Sequence, residues 1–339
     1  AAAHDRRALR AAALAGFAAW LWADLIGAQT HLRLLPRDID AYYARYAPLL
    51  DGLRARQGLD RTYLSTTARG DDPLPYFSDL GNAGLAHRLY QVDSYAGGVA
   101  WRRLETFLGE LGGLPPPRPG QLEARLGHVP LHLTTDNLPR FNLLGARFVL
   151  TAAGDEARLA TPQVLAGWQV IDRQARVVLY ENPTALPRAF LVDSATPAAS
   201  PEAALQALAH VDLARQAVIE APLVPPFPSR PSGSDQAGTV AIAHYAANRV
   251  ALEVVAQRDA LLVLTDQHFP GWRATLDGNA VPIARANYLF RAVRVPSGTH
   301  RIEMRYAPRA LQLGALGSAV GGLIALGLLV RRPRAGGAA

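Results

Sequence analysis

The densest group of chemically versatile side chains lies between Asp266 and Arg291. Asp266-Gln267-His268-Phe269-Pro270-Gly271-Trp272 is followed by Asp277-Gly278 and then by Arg285-Ala286-Asn287-Tyr288-Leu289-Phe290-Arg291. Aromatic rings stack on a sugar ring, and neighbouring polar groups bond its hydroxyls. Recognition of that kind uses a few well-placed polar groups on an apolar floor. His268, Trp272, Arg285, Asn287, Tyr288 and Arg291 are therefore a candidate sugar or acceptor surface. The plainer reading assigns the same residues to architecture. Trp272 then anchors a core, Pro270-Gly271 turns the chain before a strand, and Asp277 and Asn287 stabilise loops.

Other candidates are sparser. Asp38-Ile39-Asp40 has a D-x-D spacing that can hold a divalent cation, but the plainer reading, acids favoured at the start of a helix by its dipole, outweighs it. His128 and His132 are four apart, but Pro130 breaks the helix that would align them as metal ligands. There is no phosphate-binding Gly loop, no G-x-S-x-G and no H-E-x-x-H. The chain contains no Cys, which excludes disulfides, iron–sulfur ligation, cysteine zinc sites and a thiol nucleophile. No catalytic residue, metal site or cofactor is assigned.

The elements that must position these residues are mostly strands. Val250, Leu252 and Val254 alternate with Ala251, Glu253 and Val255, and Ile302, Met304 and Tyr306 alternate with Arg301, Glu303 and Arg305. Period two marks half-buried strands. Asp277-Gly278 supplies the positive φ of a tight hairpin, and Pro296-Ser297-Gly298 is a second turn. Residues 236–308 are therefore expected to form a small β-sandwich. Residues 222–235 hold Pro222, Pro225, Pro226, Pro228 and Pro231, the composition of a stiff linker, and a domain boundary is placed there. Residues 31–221 mix helical spacing (41–56, 98–108, 137–145 and, as two short helices, 201–220) with strands at 61–66, 146–150, 167–171, 177–181 and 189–192. The fold class is α+β and membrane-anchored: a mixed α/β extracytoplasmic domain, then the sandwich, flanked by transmembrane helices.

The anchors are expected at both ends. Residues 310–330 carry no charge and are long enough for a bilayer core, which needs about 20 apolar residues. Arg331, Arg332 and Arg334 follow and mark the cytoplasmic side, leaving 331–339 as a cytoplasmic tail. Gly317 and Gly321 form a G-x-x-x-G pair, common by chance in so small-residue-rich a run. Arg6, Arg7 and Arg10 stand at the head of a second apolar run at 10–30, after a cytoplasmic end at 1–9. Trp20 and Trp22 suit a membrane interface, while Asp24 and the lack of a cleavage site argue against a signal peptide. The bulk of the chain is then extracytoplasmic, and its partner is the lipid bilayer of the cytoplasmic (inner) membrane. The absence of an initiator Met suggests a piece of a longer, multi-pass protein. The net charge of +7 and pI near 10.0 come entirely from Arg. These are scattered, without a basic stripe or stacking platform, so nucleic acid is not expected as a partner.

The order of these motifs has a counterpart. Pro270-Gly271-Trp272, Asp277-Gly278, Arg285-x-Asn287-Tyr288-x-x-Arg291, Pro296-x-Gly298-x-His300 and Tyr306-x-Pro308 before the last apolar run resemble the C-terminal region of the YfhO family. Upstream, Leu80-Gly81-Asn82, Val92-Asp93-Ser94-Tyr95, Asn142-Leu143-Leu144-Gly145-Ala146-Arg147-Phe148-Val149, Tyr180-Glu181-Asn182-Pro183 and Leu186-Pro187-Arg188-Ala189 are also similar to it. The resemblance implies a polytopic bacterial membrane protein related to GT-C glycosyltransferases, which take sugar from a lipid-linked donor to a cell-envelope acceptor. In that class the catalytic carboxylate sits in an early outer loop, so none is carried onto this chain. The alternative is a non-catalytic envelope binding or assembly module.

Overall fold

A computed structural model describes residues 39–65, 88–92, 102–113, 131–174, 177–220, 226–230, 237–308, 313–314 and 317–323. The chain divides into two units, residues 1–52 and 53–339. In the first, residues 39–52 are described, all within α1 (Ile39–Gln57), where Leu49 and Leu50 are buried.

The second unit is organised by three sheets. The first contains β1 (Arg61–Leu64), β2 (Ala146–Ala152), β3 (Gln169–Arg173) and β4 (Val177–Glu181) in the order β1-β2-β4-β3, with β1 parallel to β2. The second is built from β5 (Ala189–Val192), β6 (Ser194–Pro197), β7 (Gln216–Ile219), β10 (Ala260–Gln267), β13 (Ala284–Ala286) and β14 (Phe290–Val295), in the order β5-β10-β14-β13-β7-β6. The third holds β8 (Gly238–Ala246), β9 (Arg249–Ala256), β11 (Trp272–Leu276), β12 (Asn279–Val281) and β15 (Gly298–Tyr306), in the order β12-β11-β15-β9-β8 and antiparallel throughout. Among its described residues this unit also contains the end of α1 and the helices α2 (Arg102–Leu111), α3 (Leu138–Asn142), α4 (Glu156–Leu159), α5 (Pro162–Ala166) and α6 (Pro201–Ala207).

The six-stranded sheet is buried on both faces, which explains why β10 reads as an unbroken apolar run rather than an alternating one. Leu261, Val263, Phe190, Val192 and Ala292 face one core, shared with Phe107, Leu108 and Leu111 of α2 and with Tyr63 and Phe141. Leu262, Leu264, Leu191 and Val293 face the other, against Val250, Leu252, Val254, Ile302 and Met304 of the five-stranded sheet. The second core is the interior of a β-sandwich, and the period-two patterns of β9 and β15 point their apolar sets into it.

The Pro-rich segment does not divide the strands into two sets. β5, β6 and β7 precede it, β10, β13 and β14 follow it, and all six share one sheet. β5 is buried at all four residues and needs the ladder of β10 to satisfy its backbone. The described part of the segment is itself bound: the Pro228 carbonyl accepts the Ala195 N–H at 2.7 Å, and the Ser229 carbonyl accepts from Gln216 Nε2 at 2.7 Å.

Residues 201–220 are one helix and one strand, not two helices. Ser200 caps α6 by accepting the Ala203 N–H, and the helix ends at Ala207. Gln216–Ile219 then enters the sheet, where β-branched Val218 and Ile219 are buried to within 1%. Asp277 (φ 50°) and Gly278 (φ 85°) make the expected hairpin between β11 and β12. The Pro296–Gly298 turn carries the chain from the six-stranded to the five-stranded sheet.

Among the described residues no helix is long and apolar enough to cross a membrane. Of the expected span at 310–330, residues 313–314 and 317–323 are described. They are helical, with Leu313, Val320 and Leu323 exposed. The rest of that span, the expected span at 10–30 and the two cytoplasmic ends lie outside the described residues.

Candidate functional site

An Asp at the end of a strand as buried as β10 must find partners or lose its charge. The ladder between β10 and β14 slips between Leu264 and Gln267, a bulge that re-aims Asp266. Three guanidinium groups converge on it. Arg61 Nη2 lies 2.9 Å from Oδ1, Arg188 Nη2 3.1 Å from Oδ1, and Arg291 Nη2 2.9 Å from Oδ2. The Tyr245 hydroxyl lies 3.0 Å from both carboxylate oxygens and also receives a bond from Arg188.

Each arginine is fixed by further contacts. Arg61 donates to the carbonyls of Leu144 (2.9 Å) and Thr265 (2.6 Å). Arg188 donates to the Leu59 carbonyl at 2.8 Å, with its guanidinium 4.7 Å from the Tyr90 ring and 4.3 Å from the Tyr245 ring. Arg291, 2% exposed, stacks 3.8 Å from the Trp272 ring centre. Arg61 comes from the four-stranded sheet, Asp266 and Arg291 from the six-stranded, and Tyr245 and Trp272 from the five-stranded. This one cluster therefore ties all three sheets together.

The electrostatics follow from that geometry. Burial works against ionisation of Asp266, but Arg188, Arg61 and Arg291 outweigh it and hold the carboxyl below its ordinary range. Burial, then Arg188, lowers Arg61 to about 10, and burial together with the Asp266 charge raises Tyr245 to about 12. A carboxylate so thoroughly neutralised is a poor general base, since an effective one has its pKa near the working pH. The cluster is a joint rather than a catalytic acid–base pair.

A second polar cluster seats α2 on the six-stranded sheet. Arg103 grips Glu220 with both terminal nitrogens, Nη2 lying 2.9 Å from Oε2, and it donates to the Tyr288 carbonyl at 2.9 Å. Its guanidinium lies 4.8 Å from the Tyr288 ring centre. Arg285 Nε is 3.8 Å from Glu220 Oε2, and Arg285 Nη1 reaches the His268 carbonyl at 3.4 Å.

Five of the six residues of the expected sugar surface are divided between the two clusters. Trp272 and Arg291 belong to the Asp266 joint, while His268, Arg285 and Tyr288 surround Glu220. Asn287 is fully buried at φ 49°, where its Oδ1 accepts the Val218 N–H at 2.8 Å. Asn287, Tyr288 and Arg291 are at most 6% exposed, so they present little to a ligand. His268 keeps a buried Nδ1 with no partner among the described residues; burial and then Arg285 lower its pKa. Asp40 lies in the first turn of α1, and Asp38 and His128 lie outside the described residues. No group of three His, Asp or Glu among the described residues is placed to hold a metal ion. Asp266, Arg61, Arg188, Tyr245, Arg103 and Glu220 complete the two clusters and stand outside the expected surface. Their signal was a charge set beside or within an apolar strand, as in Leu264-Thr265-Asp266.

Residues 234–318 match the family model described as Bacterial membrane protein YfhO, the family whose motif order the sequence resembles. The matched segment spans the five-stranded sheet, β10, β13 and β14 and runs on into the final apolar run. It associates the chain with a bacterial membrane protein family. No curated protein and no solved structure gives a match.

Proposed function

We propose that this chain is the extracytoplasmic region of a polytopic bacterial membrane protein resembling GT-C glycosyltransferases. The apolar runs at 10–30 and 310–330 hold it at the cytoplasmic membrane. Its sandwich presents a lipid-linked sugar or a cell-envelope acceptor to a catalytic centre outside the described residues. The observation that carries this reading is the family match, whose bounds, residues 234–318, take in the sandwich strands and the first part of the apolar run. A second reading, an envelope binding or assembly module without transferase activity, is favoured by the inward commitment of Asn287, Tyr288 and Arg291.

The two readings separate in a transfer assay. Membranes carrying the full-length protein are given a labelled lipid-linked sugar. Wild type is compared with Phe269→Ala, an exposed ring, and Trp272→Phe, which keeps an aromatic platform under Arg291. Transfer that falls in either variant, with an unchanged circular dichroism spectrum, supports the first reading. No transfer by wild type leaves the assembly module, and transfer indifferent to both changes removes this surface of the sandwich from the reaction.

A further inference from the structure

One rim of the five-stranded sheet has a composition the two clusters do not explain. Arg249, Arg305 and Arg273 are register partners on adjacent strands β9, β15 and β11, forming a single row. The preceding row, Val250, Met304 and Ala274, is buried, so by strand alternation the arginines stand on the outer face. One carboxylate serves them: Arg249 Nε and Arg305 Nε both lie 2.6 Å from Glu303 Oε1. Arg273 is exposed and has no carboxylate partner among the described residues.

The same rim carries an aromatic group on its other side. The Tyr306 ring is 5.5 Å from Trp272 and 6.3 Å from Phe269, and Phe269 is 39% exposed. The Ala307 N–H donates to the Gly271 carbonyl at 2.8 Å. A Cβ on Gly271 would sit 3.0 Å from Pro308 Cβ and Tyr306 Cε2, so only glycine lets the Phe269 loop lie against the departing chain. Four residues take the chain from Tyr306 to Ala310, at most about 14 Å when fully extended. Past that point Leu313, Val320 and Leu323 stand exposed on helix.

We infer that this rim is a bilayer-contact surface. Arg249, Arg273 and Arg305 meet the phosphates of anionic phospholipids, and Phe269 sits at the headgroup level. The assignment rests on the membrane reading above. Its physical content is an excess of cation over carboxylate beside exposed aromatic and apolar side chains, the pairing that suits an anionic interface.

The absence of cysteine gives a clean test. Single variants Phe269→Cys, Asn248→Cys, Val170→Cys and Leu323→Cys of the full chain are spin-labelled and reconstituted in phosphatidylcholine vesicles with or without phosphatidylglycerol. Oxygen and nickel-chelate collision rates then report depth. Asn248 shares the rim and holds Tyr306 through its backbone carbonyl, so it reports even if position 269 does not tolerate the label. Val170, 52% exposed on β3, is the water reference. The expected result is a label at 323 in lipid, one at 170 in water, and labels at 269 and 248 shielded from the chelate in the anionic vesicles. That shielding is lost with neutral lipid, with high salt, or with Arg273→Glu. Labels at 269 and 248 as wet as 170 while 323 is in lipid overturn this inference and spare the membrane reading. A wet label at 323 overturns both.

Discussion

Replacing Asp266 by Asn keeps the shape of the joint and removes its single negative charge. Three arginines then face one another with only neutral acceptors between them, and removing one partner of a buried ion pair costs about 3–5 kcal/mol. Folded domains are stable by about 5–15 kcal/mol, so the loss is a large share of the whole. With a urea slope of about 3 kcal/mol/M, the midpoint of the full chain in detergent should fall by about 1–1.7 M. Trp272, stacked on Arg291, places a fluorescence reporter in the joint. The comparison that makes the reasoning sharp is Arg61→Met. Burial, then repulsion from Arg188, lowers the Arg61 pKa to about 10, so its charge is held less favourably there than in water. Removing it relieves repulsion from Arg188 but loses its bonds to Asp266, the Thr265 hydroxyl and two carbonyls; Asp266 keeps Arg188 and Arg291, so Arg61→Met should still cost less than Asp266→Asn, with its loss nearer the lower end of about 3–5 kcal/mol. The pH dependence has a definite sign. The folded pKa of Asp266 lies below the unfolded value of 3.8, so its contribution is complete above that value and is lost as pH falls through the lower, folded value. The gap between wild type and Asp266→Asn should therefore be constant near neutrality and narrow below pH 3.8. A loss under about 1 kcal/mol, or the reverse order of the two variants, would refute the view of Asp266 as the hub.

Two further outcomes check the sandwich. His300 Nδ1 lies 2.7 Å from Asp277 Oδ2, and this bond raises the His300 pKa above 6.5. Titration followed by NMR should show that rise, and Asp277→Asn should bring the value back down. Its contribution to stability is present below 6.5 and disappears as pH climbs through the raised value. Gly238→Ala should be among the most damaging single-methyl additions. At φ 147° its new Cβ would meet the Val255 carbonyl oxygen at 2.0 Å, so β8 must leave β9 locally. A loss at or above the upper end of about 1–3 kcal/mol is expected in the same urea assay, and a neutral result would show that this edge yields easily.

The strand content was legible in the sequence wherever one face of a strand is wet. Val250-Leu252-Val254 and Ile302-Met304 alternate because the five-stranded sheet buries one side, and Asp277-Gly278 specifies its hairpin by φ alone. What sequence could not yield was the partnership of strands far apart in the chain. β5 is four buried residues with no alternation, and nothing in Ala189–Val192 names β10, some seventy residues later, as its neighbour. Pro222 to Pro231 suggest a domain boundary for the same reason: composition reports stiffness and says nothing about which strands meet across it. The candidate surface went the same way. His268, Trp272, Arg285, Asn287, Tyr288 and Arg291 have chemistry that suits a sugar, yet the same donors and rings also suit a joint between sheets. Only the positions of Asp266 and Glu220 show that most of that chemistry is turned inward. The exposed remainder, Phe269 beside Tyr306 and the arginine row outside them, leaves no motif, because single arginines on three strands look scattered in a linear sequence. Register aligns them, and it aligns them at the end of the sandwich from which the chain leaves toward its apolar run. The rim keeps exposed side chains beside that exit, while the residues that look most like a binding motif hold the fold together.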